Sequence, residues 1–250
     1  MKNYEIKALI FDVFGTVVDW RKTLTKNLNN FLPKALSNID LEIFAREWRK
    51  GYSDYISDFN NNKTDWKNVD EIHKDKLIEI LNSFNLLDSM SESSINKLNR
   101  IWHQLEPWED SVEGLDLLKS KFSIGTLSNG NFSLLLNMSK YSNLHWDFIF
   151  SGDIFMKYKP NKFVYKKACE FLGLKNDQVM LVAAHENDLI AAKKSGLKTA
   201  YVHRPFEHSD KAKKKPNNNF DYNSSSFTEL YQLIKLKKFY TKLVDNYIGY

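Results

Sequence analysis

Two kinds of apolar pattern alternate along the chain. Ile6 to Phe14, Phe122 to Leu127, Trp146 to Phe150, Val179 to Ala184 and Leu197 to Val202 are apolar at nearly every position, which predicts strands buried on both faces. Between them, "VEGLDLLKSK", "NKFVYKKACEFLGL" and "NDLIAAKKSGL" carry apolar residues at helical spacing. Buried strands separated by helices predict an α/β fold built on a parallel sheet, whose sites lie beyond the carboxyl ends of the strands. From about Thr23 to Leu105 only the helical spacing remains. Leu41, Phe44, Trp48, Tyr52 and Ile56 form one stripe, and Ile95, Leu98, Trp102 and Leu105 another. The expected organisation is therefore a core domain of residues 1–22 and 106–250 interrupted by an all-helical cap at 23–105.

Composition narrows the class. A chain of 250 residues with 42% hydrophobic and 14% aromatic residues can bury a substantial core. Cys169 is the single cysteine, so no internal disulfide forms and a metal site built on clustered cysteines is excluded. No signal-like segment opens the sequence and no apolar run is long enough to cross a bilayer, so the expectation is a soluble cytoplasmic protein without a membrane partner. The net charge of +5 raises nucleic-acid binding as a possibility. The lysine run Lys211 to Lys215, however, sits beside Pro216 and an asparagine tract, the composition of a solvated loop, and no nucleic-acid partner is expected.

Candidate chemistry concentrates at four strand ends. The first offers Asp12 and Thr16, the second Ser128 and Asn129, the third leads to Lys159, and the fourth ends in "AAHEND" with His185 and Asp188. Singly, each has a structural explanation as a helix cap, a turn or an exposed loop residue. Together they would converge on one edge of a parallel sheet.

The ordered set "FDVFGT", "TLSNGN", "YKP" and "VAAHENDL" resembles the haloacid dehalogenase superfamily, and "FDVFGTVVDWR" with "AAHxxDL" resembles its type II (S)-2-haloacid dehalogenase branch. The likeness extends to about Pro205. It implies a Rossmann-like core under a helical cap, a homodimer, and hydrolysis of a small halogenated carboxylic acid through an aspartyl ester on Asp12, with no metal and no cofactor. Phosphatases of the superfamily carry a second aspartate two residues after the nucleophile. Phe14 stands there, and halide, unlike an alkoxide, leaves without a proton donor.

The same resemblance implies roles for other residues. Arg49, with Arg46 and Arg21 as rivals, would cradle the departing halide together with Asn129. Ser128 would meet the substrate carboxylate. Thr16 would fix the loop beside Asp12 or touch substrate, and Tyr165 would lie near substrate or in the core. Asp188 would sit by the ester, and His185 would either activate water or orient Asp188 or Lys159. Trp20 and Arg21 would shape the entrance. His185, Asn187, Ala183 and Asn161 depart from familiar members and bear on pocket size and polarity. Glu186 and Asp188 still leave room for Mg²⁺ beside Asp12. A Mg²⁺-dependent phosphatase, a hydrolase of another small electrophilic acid and a non-catalytic binding protein are the competing readings.

Overall fold

A computed structural model of the protein describes residues 5–31, 40–215 and 220–248. The elements are, in order, β1 (Ala8–Phe11), α1 (Trp20–Phe31), α2 (Leu41–Asn60), α3 (Val69–Ser83), α4 (Glu92–Asn99), α5 (Ser111–Lys119), β2 (Ser123–Leu127), α6 (Phe132–Tyr141), β3 (Phe148–Phe150), α7 (Gly152–Phe155), α8 (Lys162–Phe171), β4 (Val179–Ala183), α9 (Glu186–Lys194), β5 (Lys198–Val202), β6 (Tyr222–Ser224) and α10 (Phe227–Ile248). The six strands form one sheet in the order β3-β2-β1-β4-β5-β6, and every pairing is parallel.

Strand β1 sits in the middle because all four of its residues are apolar and none is exposed. Side chains alternate across a strand. Leu9 and Phe11 accordingly join one apolar cluster, with Leu134 and Phe227, while Ile10 joins the other, with Leu127, Val164, Leu181 and Leu189. Full burial of such a side chain contributes about 1.5–3 kcal/mol, so the strand that ends at Asp12 is fixed from both faces.

The chain then turns sharply. Gly15 has φ +82°, a left-handed conformation suited to glycine, and its N–H donates to Val18 O at 3.0 Å. The turn leads into α1, so the expected boundary at 22/23 falls inside that helix, while 105/106 falls in the connection after a short 3-10 helix, Arg100–Gln104. The two connections lie side by side. Val18 bridges Pro107 in antiparallel fashion, Asp19 N–H donates to Glu106 O at 2.9 Å, and Trp108 N–H donates to Val17 O at 3.1 Å.

Between the connections, α1 to α4 pack on one another around aromatic residues. Phe44, Trp48, Tyr52 and Ile56 are buried along α2, with Leu41 partly buried at its start; Ile95, Leu98, Trp102 and Leu105 are buried opposite. Trp48 and Trp102 meet edge to face at 5.6 Å, and Trp48 Nε1 donates to His73 O at 2.7 Å. Helix starts are capped as their sequences suggest. Asp40 accepts from the N–H groups of Glu42 and Ile43, and Asn68 with Glu71 forms a capping box on α3.

The observed strands are shorter than the apolar runs, since the runs continue into buried turns. Strand β6 and helix α10 are additions: "YNS" is too short and polar to signal a strand, and it forms at the edge of the sheet against β5. Lys211 to Lys215 are exposed and carry no helix or strand, while 216–219 lie outside the described residues. Among the described residues no helix is long and apolar enough to cross a membrane.

Candidate active site

Asp12 is the first residue past β1, and its N–H still donates to Val182 O of β4 at 3.1 Å. Its carboxylate is 8% exposed at the residue level, yet each oxygen is engaged. Oδ1 accepts from Lys159 Nζ at 2.9 Å. Oδ2 accepts from Thr16 Oγ1 at 2.7 Å and faces His185 Nδ1 at 2.9 Å. Burial alone would raise this carboxyl's pKa. The Lys159 ammonium, His185 and Thr16 outweigh burial and hold it far below the usual carboxylate range, so Asp12 is an anion.

Lys159 bridges two acids, donating also to Asp188 Oδ2 in a short contact. Burial opposes its charge, but the two carboxylates raise its pKa and keep it an ammonium. Asp188 lies in the first turn of α9, where the helix dipole favours an anion. Burial nevertheless raises its carboxyl overall, with Lys159 opposing and Asp12 adding. Tyr165 donates to Asp188 Oδ1 at 2.5 Å. The backbone of Lys159 is clamped in turn: its N–H donates to Asn129 Oδ1 at 2.7 Å, and its carbonyl accepts from Asn60 Nδ2 at 3.3 Å and Asn129 Nδ2 at 3.4 Å.

These groups open on a cavity of about 510 Å³ lined by residues from both halves of the molecule. The sheet side contributes Asp12, Phe14, Ser128, Asn129, Lys159, His185, Asn187 and Asp188; α2 contributes Arg49, Tyr52 and Asn60. Arg49 is held over aromatic rings, 4.5 Å from the Tyr52 centroid and 5.9 Å from those of Phe14 and Trp20. It makes no ion pair among the described residues. A caged, unpaired guanidinium on a cavity wall is suited to receive an anion.

Several expectations land elsewhere. Thr16 has no exposed surface and does not line the cavity; its hydroxyl donates to Asp12 Oδ2 and accepts from the Ala184 N–H. Tyr165 is equally buried and acts on Asp188 from behind. Arg21 is buried in ion pairs with Glu42 and Asp210, and Arg46 pairs with Glu42 on the surface, which leaves Arg49 as the one of the three on the cavity wall. Trp20 and Arg21 are buried and do not form the cavity mouth. Asn161 caps α8 by accepting from Phe163 N–H, and Ala183 is buried within β4.

A residue not foreseen from the sequence completes the site. Glu207, in the loop after β5, is 4% exposed and faces His185 Nε2 at 3.0 and 3.1 Å, while accepting from Trp20 Nε1 at 3.2 Å. Burial alone would lower the His185 pKa, but Glu207 and Asp12 raise it to about 10. Burial would raise Glu207, yet His185, His208 and Arg49 bring it below its usual value. Three carboxylates, Asp12, Asp188 and Glu207, therefore face three cations, Lys159, His185 and Arg49. His185, Glu207 and His208 also bring three possible ligand atoms within 4.8 Å of one another. The hydrogen bonds of Glu207 to His185 and Trp20, with Arg49 close by, make this an ion-pair network rather than a ligand set awaiting an ion.

The sheet order, the acid after β1 and the lysine it pairs with form a pattern that comparison with known proteins resolves. The sequence pattern of haloacid dehalogenase-like hydrolases matches residues 9–202. The chain belongs to this family of haloacid dehalogenase-like hydrolases. Its relatives include (S)-2-haloacid dehalogenase 4A of Burkholderia cepacia, 28% identical over 80% of this chain and 84% of that enzyme. (S)-2-haloacid dehalogenase 1 of Pseudomonas sp. (strain CBS-3) is 28% identical over 92% of this chain and 96% of that enzyme. The crystal structure of a defluorinating L-2-haloacid dehalogenase superposes with a TM-score of 0.88 at 35% identity, over 92% of this chain and 95% of that one. These haloacid dehalogenases are hydrolases acting on carbon-halide bonds, and this member shares their parallel-sheet fold.

The guanidinium gives this dehalogenase-like site its clearest single test outside the sheet. Arg49→Leu is expected to lower kcat/KM for a 2-haloacid by about 10²–10³, the usual cost of losing one donor to a developing anion. Arg46→Leu serves as the control and should leave turnover within twofold. Steady-state halide release checks both, and equal effects of the two changes would remove Arg49 from the site.

Proposed function

We propose that the protein hydrolyses small (S)-2-haloalkanoic acids to 2-hydroxy acids with inversion, through an aspartyl ester on Asp12 and without a metal. The observation that carries this reading is an ionised Asp12, paired with Lys159 and open to a cavity whose other wall presents Arg49, which has no ion pair among the described residues.

The substrate is an anion attacked by an anion. Two like charges about 4 Å apart repel by roughly 4 kcal/mol at an effective dielectric near 20, about three decades in rate. Lys159 and Arg49 offset that repulsion. The Asp12 carboxylate forms a bond to C2 from the side opposite the halogen, and the carbon–halogen electron pair leaves as halide towards Arg49. Asn129 and Ser128 line the same cavity for the halide and the substrate carboxylate. Water then adds to Cγ of the ester, giving its proton to Asp188. Lys159, hydrogen-bonded to Asp188, supplies the proton taken up by the departing 2-hydroxy acid oxygen and is reprotonated by Asp188, and the second proton of the water, left on the regenerated Asp12 carboxyl, is released to solvent. Lys159 already pairs with Asp12 and Asp188, two of the acids that would hold a divalent ion, and Phe14 on the cavity wall offers no acid for an alkoxide leaving group.

Purified protein incubated with racemic 2-chloropropionate in EDTA should release chloride, consume the (S) acid and yield the (R) hydroxy acid. In H₂¹⁸O, a single turnover should place label in Asp12 and leave the first product unlabelled. Turnover of phosphate esters that requires Mg²⁺, with no chloride release, would replace this reading by the phosphatase one.

A further inference from the structure

Glu207 and the notch that receives it have no part in the reaction scheme above, yet the role they take depends on that scheme being right. We propose that Glu207 is a positioning residue that keeps His185 doubly protonated, so that His185 Nδ1–H and the Thr16 hydroxyl form the oxyanion site for hydrolysis of the ester at Asp12 Oδ2.

The first argument is geometric. His185 has a carboxylate on each ring nitrogen, Asp12 Oδ2 at 2.9 Å from Nδ1 and Glu207 at 3.0 Å from Nε2. A neutral imidazole carries one N–H, so one of these contacts would set a nitrogen lone pair against a carboxylate oxygen. An imidazolium satisfies both. In that state His185 has no lone pair with which to take a proton from water, which removes it as the base and leaves Asp188. The other groups facing the ring region are His208, which touches Glu207 at 3.3 Å, Arg49 and Lys159.

The second argument is the asymmetry of Asp12. Oδ2 already takes two donors, Thr16 and His185, whereas among the described residues Oδ1 takes Lys159 alone. Oδ1 is thus the better nucleophile, and alkylation there leaves Oδ2 as the ester carbonyl oxygen. When water adds to Cγ, negative charge moves onto Oδ2, where two donors are aligned before the step begins. Collapse breaks the Cγ–Oδ1 bond, so Oδ1 leaves with the product and the water oxygen stays in Asp12.

The third argument is how the fold makes room. A Cβ on Gly15 would lie 2.0 Å from Glu207 Oε1. The glycine that turns the chain after the nucleophile thereby also seats the carboxylate. Trp20 Nε1, donating to the same Oε1, fixes its rotamer.

Glu207→Gln isolates the charge. Trp20 holds the amide oxygen towards His185, so a neutral ring carries its proton on Nε2 and loses the donor to Asp12. Rapid-quench kinetics with (S)-2-chloropropionate should show chloride released in a burst of one per site at a near wild-type rate, followed by a steady state slowed by about 10²–10³, with the enzyme accumulating as the Asp12 ester by mass spectrometry. Thr16→Val should behave alike, and Thr16→Ser should restore turnover. Loss of the burst without ester accumulation, or turnover within twofold of wild type, overturns the proposal.

NMR of the resting protein, with His185 assigned by His185→Gln, supplies an arm that needs no substrate. Its ring should stay doubly protonated from about pH 6 to 9 in the wild type and titrate near its ordinary value in Glu207→Gln. A wild-type ring that titrates between pH 6 and 8 refutes the proposal even where halide release succeeds. A protein that releases no halide while its ring stays charged instead refutes the dehalogenase reading.

Discussion

Asp12→Asn is expected to lower halide release from 2-haloacids by at least about four orders of magnitude, the scale on which loss of a nucleophile falls. The carboxamide fills the same space, and its oxygen can still accept from Thr16 and His185 in the place of Oδ2. The amide nitrogen then occupies the Oδ1 position, where it meets the Lys159 ammonium donor to donor. Both nucleophilicity and the ion pair are lost at the atom that forms the bond. Quenched wild-type enzyme should carry an adduct on the peptide containing Asp12 and the variant should carry none. A variant that keeps more than about a hundredth of wild-type turnover would show that attack comes from elsewhere.

Lys159→Met should have the next largest effect, and on stability as well as rate. Methionine roughly conserves volume, but Asp12 and Asp188, both bound to the same Nζ and both buried, lose the cation between them. Stripping one partner from a buried ion pair costs about 3–5 kcal/mol unless a carboxyl takes up a proton, and the site will take that route. In the wild type, the depressed pKa of Asp12 gives stability that is present above the unfolded carboxyl's pKa and is lost as pH falls through the folded value.

In Lys159→Met the carboxyl's folded pKa rises above the unfolded value. The folded state is then favoured at low pH and loses stability as pH increases through that raised value. Urea midpoints at pH 5 and 8 should therefore fall with rising pH for the variant relative to wild type. Its kcat/KM should be lower by on the order of 10³ at pH 7, the scale of the anion–anion repulsion, and should recover partly as pH rises and Asp12 ionises. An unfolding midpoint whose pH dependence matches wild type would show that Lys159 is not the counter-ion of Asp12.

How far the residues revealed the molecule depended on how local each signal was. Strand β1 was legible because two-sided burial demands an unbroken apolar run, and the polar residue ending that run marks a site whatever the rest of the chain does. The helical stripe of α2 and Phe14 were equally local. Thr16 and Tyr165 were visible as neighbours of the site, but whether each faced the cavity or sat behind it stayed open, since a hydroxyl that holds a carboxylate looks the same in sequence as one that lines a pocket. Motif position favoured Arg49 over Arg21 and Arg46, and the acids that engage the two rivals became visible only in three dimensions, because all three fall in or next to helical segments with a charged face.

Glu207 was not legible at all. It follows Pro205 in "RPFEHSD", where the motif likeness ends, and an acid between a phenylalanine and a histidine in a charged loop reads as solvated. Its burial is created by Trp20, Gly15 and His185, three residues scattered over the chain. The nearest thing to a cue was His185 itself, whose second ring nitrogen needed a partner. Arg204, buried against Asp110 with its Nε donating to Thr16 O, escaped for the same reason.

The paired connections at Val18 and Pro107 carry the chain between the sheet and the helical layer only a few residues from Asp12. Trp108 reinforces that spot by donating Nε1–H to Gly15 O at 3.0 Å, tying one crossing to the turn beside the acid. Turn, crossing and acid are thus tied together by backbone and indole hydrogen bonds.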